Sequence, residues 1–314
     1  MERRTFLAGA AAMVTGMTRA SAQHTVPNSQ GTEAPNLKAP ANACDCHMHI
    51  YDGDRFAPAR PGPQSRMQAN AAVAQYRLLQ QRLGTLRTVI VTPAAYVTDN
   101  RVTLDAIGQL GPANARGVAV VHPTVTDAEF KALADGGIRG IRFTVFDPRS
   151  AAVSIDMIEP LGKRVADLGW HIQIHMLAGQ IVENAALLES LPTQVVFDHM
   201  GRLPQPNPLD HPAFTIIRRM LDKGRTWVKL AGAYQDTNAG APAYADKTAV
   251  AQAYIAAAPE RVVWGSDWPH PTEKEKPDDA TLFDLLSEWA PDAALRQRIL
   301  VANPEALYGF AKAT

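Results

Sequence analysis

Cysteine is nearly missing from this chain: Cys44 and Cys46 are the two in 314 residues. Two cysteines so few make no disulfide framework, and a strand would hold this pair too extended to bridge easily. Charge bias is absent as well, since Lys+Arg and Asp+Glu both number 31. That excludes the broad basic surface of a nucleic-acid binder, and any anionic ligand must be held by local charges. No apolar run is long enough to span a bilayer. No Gly-rich phosphate loop follows the first apolar strand, which counts against an open doubly wound sheet. What remains is an ordinary globular composition, 46% hydrophobic and 20% charged, with enough chain to bury a large core.

The first residues differ from the rest. Arg3-Arg4-Thr5-Phe6-Leu7 precedes a small-residue apolar run over 8–17, and Ala20-Ser21-Ala22 then reads as a cleavage site. This pattern resembles a bacterial twin-arginine export signal, so residues 1–22 are predicted to be a signal peptide and the mature protein periplasmic. Residues 23–42, with their Pro, Asn, Ser and Gly, read as a linker or extended arm. The segment 43–314 is then one domain.

Within it, short β-branched runs alternate with amphipathic stretches. Strands are predicted at 43–50, 87–92, 116–122, 139–145, 170–175, 194–199, 227–231 and 261–264. Helical stretches include 71–83, 127–135, 155–168, 181–191, 213–223, 247–258 and 293–301. About eight strand–helix units in one composition regime argue for an α/β fold of the (β/α)8 TIM-barrel type. Barrel chemistry gathers at the C-terminal ends of the strands. His47, His49, His122, Arg142, His175, His199, Tyr234 and Asp267 all fall there.

The stretch Cys44-Asp45-Cys46-His47-Met48-His49 is dense in ligand types. Strict alternation puts Asp45, His47 and His49 on the inner face and Cys44, Cys46 and Met48 outward against helices. His47 and His49 can then reach one point, whereas a metal site using both faces of the strand cannot form.

His-Met-His on strand 1, His175 on strand 5, Asp198-His199-Met200-Gly201 after strand 6 and Gly265-Ser266-Asp267-Trp268-Pro269-His270 after strand 8 occur in this order. Together they resemble the amidohydrolase superfamily. The match is to its amidohydrolase-related branch, which contains 2-pyrone-4,6-dicarboxylate hydrolase, lactone hydrolases and galactarolactone isomerase. The resemblance implies His47, His49, His175 and Asp267 as ligands of at most one divalent metal, zinc above all, because strand 4 carries no lysine for a second. It implies His199 as the residue that polarises substrate. The branch also implies a metal-free version, in which Asp267 is general base and His47, His49 and His199 stabilise an oxyanion. Both versions stay open at the level of sequence.

Arg142, Arg202, Tyr51, Tyr96, Tyr234 and His270 are candidate substrate contacts, with Trp268 shaping the pocket mouth. His122 is equally suited to a structural role. The resemblance leads one to expect an Arg just after the strand 7 tyrosine, but Gln235-Asp236 stand there. That favours a less charged or sugar-acid lactone over a pyrone dicarboxylate. The expected function is hydrolysis of a lactone of a small carboxylated or sugar-acid substrate. Lactone isomerisation or decarboxylation on the same site, or a catalytically silent periplasmic binder, are the alternatives. The expected partner is a small molecule, with neither nucleic acid nor an inserted membrane segment in the mature chain and self-association left open.

Overall fold

A computed structural model describes residues 25–59 and 66–312. The predicted signal peptide lies outside the described residues. Eight parallel strands are hydrogen-bonded in sequence order. They are β1 Cys44–Met48, β2 Arg87–Val91, β3 Ala115–Ala119, β4 Ile138–Thr144, β5 His171–His175, β6 Gln194–Phe197, β7 Thr226–Leu230 and β8 Val262–Trp264. Between them run α1 Val73–Leu83, α2 Arg101–Leu110, α3 Asp127–Asp135, α4 Ile158–Asp167, α5 Ala178–Glu183, α6 Ala185–Ser190, α7 Pro212–Asp222 and α8 Ala245–Ala257. After β8 come α9 Asp279–Trp289, α10 Ala293–Gln297 and α11 Asn303–Tyr308. This is the expected (β/α)8 barrel, nearly closed. Among the described residues no helix is long and apolar enough to cross a membrane.

The seam between β8 and β1 closes through the segment following β8. Asp267 N donates to the His47 carbonyl (2.7 Å) and His49 N to the Trp268 carbonyl (2.8 Å). Gly265 permits this, because a Cβ there would lie 2.6 Å from His47 Cβ. Ser266 fastens the same seam: its amide (2.9 Å) and hydroxyl (2.6 Å) both donate to Asp45. Each of the first three residues of the Gly-Ser-Asp motif therefore has a separate job, and two of them are closure.

Alternation along β1 fails. Asp45 pairs with Thr88 but Met48 with Ile90, so β1 carries one more residue than β2 over that interval. Such a bulge turns the side chains that follow it to the other face. Cys44 and Cys46 consequently point inward, where they cluster with Val89, Val91, Val118, Val196, Trp227 and Val263 from strands all round the ring. Leu307, Tyr308 and Phe310 complete the cluster at the N-terminal mouth of the barrel. Asp45 points out, accepting a bond from Tyr76 of α1 (3.1 Å). Past the bulge His47 and His49 face the interior as expected, and Met48 packs outward. The expected outward packing of the cysteines, and the shared face of Asp45 with the histidines, are thus overturned by one inserted residue.

Residues 25–42 are not a free linker. The Pro27 carbonyl accepts from Trp268 Nε1 (2.8 Å), and Asp284 of α9 accepts from the amides of Asn36 and Leu37 (3.0 and 2.7 Å). The arm is strapped across α1, α9 and the segment that carries Asp267.

Candidate active site

β6 ends at Phe197, so Asp198 and His199 lie on the turn beyond it, and Asp267 lies three residues beyond β8. His199 and Asp267 adopt positive φ, 49° and 62°. Left-handed backbone in such residues costs on the order of 1 kcal/mol or more each, and is retained where the surroundings over-determine a functional geometry.

Asp267 is the hub. Tyr234 donates to its Oδ2 at 2.5 Å and Gln235 at 3.2 Å. Its Oδ1 faces His49 Nε2 at 3.3 Å and His47 Nε2 at 3.5 Å, and His199 Nδ1 stands 4.0 Å from Oδ2. Burial pushes this carboxyl up, but the fields of His199 and His47 and the His49 contact outweigh burial and hold it well below the usual carboxylate range. Asp267 is therefore a carboxylate at neutral pH. Burial, reinforced by that charge, pushes the Tyr234 phenol well above its ordinary value, so it stays a donor. Burial lowers His199 to about 4, which leaves a neutral imidazole.

Behind His47 sits a layer that sequence reasoning passed over. Lys229 of β7 is wholly buried and donates to Gln173 Oε1 (2.7 Å), with its Nζ 3.3 Å from His47 Nδ1. Burial pulls this ammonium down to about 8. Asp198 faces His47 Nδ1 (3.2 Å) and accepts from Arg142 Nε (2.9 Å) and Gln173 Nε2 (3.0 Å). Asp198 was legible as part of the Asp-His-Met-Gly motif. Lys229 was not, because a lysine in Thr-Trp-Val-Lys-Leu reads as a solvated strand position.

His175 stands apart from the expected ligand set. Its two ring nitrogens face guanidinium groups, Nδ1 that of Arg142 and Nε2 that of Arg202, each at 3.1 Å. Phe146 stacks on its ring at 4.5 Å. A neutral imidazole accepts at one nitrogen only, so both sides are already contested. The structure gathers His47, His49 and Asp267 instead, their donor atoms within 4.8 Å of one another, and equally His47, Asp198 and His199.

The first of these groups fits a metal ion. His49 Nδ1 lies 2.8 Å from the Val91 carbonyl, which can only accept, so a neutral His49 turns the lone pair of Nε2 toward Asp267, a contact that only a proton or a cation between them makes favourable. His47 Nε2 is buried and has no hydrogen bond among the described residues. Two imidazole nitrogens and a carboxylate oxygen converging on one point are a donor set that a cation would satisfy.

Several expected substrate contacts are placed elsewhere. The pocket over Asp267 is lined by His49, Tyr51, Arg66, Arg142, Phe146, His175, His199 and Gln235 among others. Arg142 and Tyr51 are where sequence reasoning put them. Tyr96 is fully buried away from the pocket, where its hydroxyl accepts from the Asp52 amide (3.0 Å). Arg202 is clamped by both oxygens of Asp236 (2.5 and 2.9 Å) at the edge of the site. Tyr234 and His270 lie behind Asp267, not over it, and His270 and Trp268 are fully buried. The motif positions of Trp268 and His270 suggested the pocket mouth, but the segment with left-handed backbone at Asp267 and His270 buries both side chains. His122 bonds the Ala152 carbonyl (2.7 Å) and lines a separate surface cavity. Arg66, which shares the pocket wall, went unnoticed because nothing in a loop of mixed composition marks it.

A family model described as amidohydrolase matches residues 44–310. The chain belongs to the amidohydrolase family. Among its relatives is 2-pyrone-4,6-dicarboxylate hydrolase of Comamonas testosteroni, 35% identical over 87% of this chain and 92% of that one. D-galactarolactone isomerase of Agrobacterium fabrum is 34% identical over 88% and 94%. A solved apo structure from Agrobacterium tumefaciens superposes with a TM-score of 0.82 at 32% identity, covering 91% of this amidohydrolase and 99% of its own chain.

Proposed function

We propose that this amidohydrolase opens a lactone of a small carboxylated or sugar-acid substrate, and does so in the periplasm after twin-arginine export. The observation that carries the chemistry is the hub itself. A buried, ionised carboxylate has one oxygen held by Tyr234 and Gln235 and presents the other to the pocket among histidines. Relatives named as a dicarboxylate hydrolase and a lactone isomerase support the substrate class. The twin arginine, apolar run and Ala20-Ser21-Ala22 support the location.

Asp267 takes a proton from a water held against its open oxygen, and the hydroxide so formed adds to the lactone carbonyl. The carbonyl oxygen becomes an oxyanion, which the neutral imidazole of His199 stabilises by donating to it. Collapse breaks the ring C–O bond, and the proton taken by Asp267 returns to the departing oxygen. Arg142 lines the same pocket and suits the substrate's carboxylate. When bound at His47, His49 and Asp267, a single divalent ion, zinc by donor type, would add Lewis-acid polarisation and a more acidic water.

The test is a panel of carboxylated and sugar-acid lactones assayed in ¹⁸O water with and without chelator, beside metal analysis of the purified protein. One ¹⁸O per product is expected. Turnover without label would replace hydrolysis by isomerisation, and stoichiometric binding without turnover would replace catalysis by ligand capture.

A further inference from the structure

Asp279 opens α9 with a carboxylate that is fully buried, and its only hydrogen-bond contact among the described residues is His270 Nε2, 3.2 Å from Oδ2. The other oxygen of Asp279 has no partner among the described residues. His270, equally buried, turns its Nδ1 to the Tyr234 hydroxyl at 3.1 Å, and Tyr234 donates to Asp267 at 2.5 Å. Four polar side chains thus run in line from the start of α9 to the reacting carboxylate. None of Tyr234, His270 and Asp279 lines the substrate pocket.

We propose that Asp279 and His270 are positioning residues that act through Tyr234 to fix the rotamer of Asp267, so that one oxygen is held and the other faces the substrate.

Three observations favour a strut over plain packing. A buried carboxylate costs several kcal/mol unless paired, so a fold using this position only to start a helix would be better served by an apolar or short capping residue. The helix cap is in any case supplied by Asp278, whose side chain accepts from the Ala280 amide (2.9 Å). The His270 end is fixed from outside as well: Lys276 donates to its carbonyl (2.8 Å), and Ser29 of the arm accepts from the Asp279 amide (3.2 Å). Finally, the hydroxyl of Tyr234 can give its one proton to a single acceptor. At 2.5 Å that acceptor is Asp267, and the His270 imidazole against the phenol oxygen stops the phenol from swinging away. The strut matters because a carboxylate free to rotate offers the water the wrong lone pair. A displacement of about 1 Å in such a group costs up to about 100-fold in rate.

The kinetic arm rests on the lactone hydrolysis proposed above; the structural arm does not. Tyr234→Phe, Asp279→Asn and the double variant are prepared as full-length protein, their thermal midpoints recorded, and the crystal structure of each solved without substrate. The expected result is a turned or split Asp267 carboxylate in both single variants. It is accompanied by a kcat about 10-fold to 100-fold lower with KM within about two-fold. Members of one serial strut are not additive, so the double variant is expected to be no slower than Tyr234→Phe. An Asp267 carboxylate unmoved in either single variant, losses that multiply, or a loss carried by KM would overturn the proposal. His270→Asn serves the same comparison if Asp279→Asn does not fold. If the wild-type protein turns over no lactone, the proposed reaction fails while the carboxylate's position still decides the strut.

Discussion

Below the bulge in β1, the barrel interior is Cys44, Cys46, Val89, Val118, Val196, Trp227 and Val263, sealed by Leu307, Tyr308 and Phe310. Above it, the same strands and the turns beyond them present His47, His49, Arg142, Gln173, Asp198, Lys229 and Asp267, all buried and nearly all bonded to one another. The lower half contributes burial at roughly 25 cal/mol per Å² and asks little of backbone geometry. The upper half carries desolvated charges and left-handed residues that include His199 and Asp267, each a cost to folding. The lesson is one of division of labour along a single strand set. A rigid apolar floor allows a strained polar ceiling, and substitutions in the two halves should report on different quantities.

The largest effect is expected in the ceiling. Asp267→Asn keeps the size and one acceptor oxygen for Tyr234 but removes the base, so kcat is expected to fall about 1000-fold with the fold retained by circular dichroism. Turnover within about ten-fold of wild type would remove Asp267 from the chemistry and leave the two halves kinetically alike. His199→Asn follows, with about a 100-fold loss in kcat for the missing oxyanion donor, read in the same assay. A change confined to KM would instead make His199 a binding residue.

In the floor the readout should switch from rate to stability. Gly140 has no Cβ because the His171 ring fills that space, with Cε1 and Nε2 2.4 Å from where the Cβ would be. Gly140→Ala is expected to cost about 1–3 kcal/mol in urea unfolding while kcat stays within two-fold. If kcat falls with stability, floor and ceiling are mechanically one unit and the division is broken.

How much of this was legible follows from the same contrast. The ceiling announces itself, because histidine and aspartate are unusual at strand ends and recur in ordered motifs. The eight-fold alternation announces the barrel. The bulge did not show: Asp45-Cys46-His47 contains no glycine or proline to mark an inserted residue, so period-two reasoning gave the wrong faces to three side chains. The burial of Trp268 and His270 did not show either. Their placement depends on left-handed backbone at Asp267 and His270, which those residue types do not advertise. Arg142 sits in a strand between Ile141 and Phe143 and finds an inward polar partner in Asp198, whereas the guanidinium groups that Arg142 and Arg202 turn to His175 are tertiary contacts with no mark in the sequence.

The smallest effect joins the two halves through pH. Burial lowers His171 in the floor to about 3, with the Lys229 charge adding to it, and burial lowers His199 in the ceiling to about 4. Both fall below the ordinary histidine value near 6.5, so as pH drops the unfolded chain takes up these protons first. Their effect on stability is absent above about pH 6.5 and grows as pH falls from there toward 4 and then 3. At pH 5 each histidine costs about 2 kcal/mol relative to neutral pH. His171→Gln removes one of the two, so between pH 7 and pH 5 the variant is expected to lose about 2 kcal/mol less than wild type in urea unfolding. The comparison is internal to each protein, so any cost of the glutamine present at both pH values cancels. Equal losses in variant and wild type would mean that His171 takes its proton in the folded barrel as easily as in water. That in turn would mean the floor is wetter than its packing of Cys46, Trp227 and Tyr308 implies.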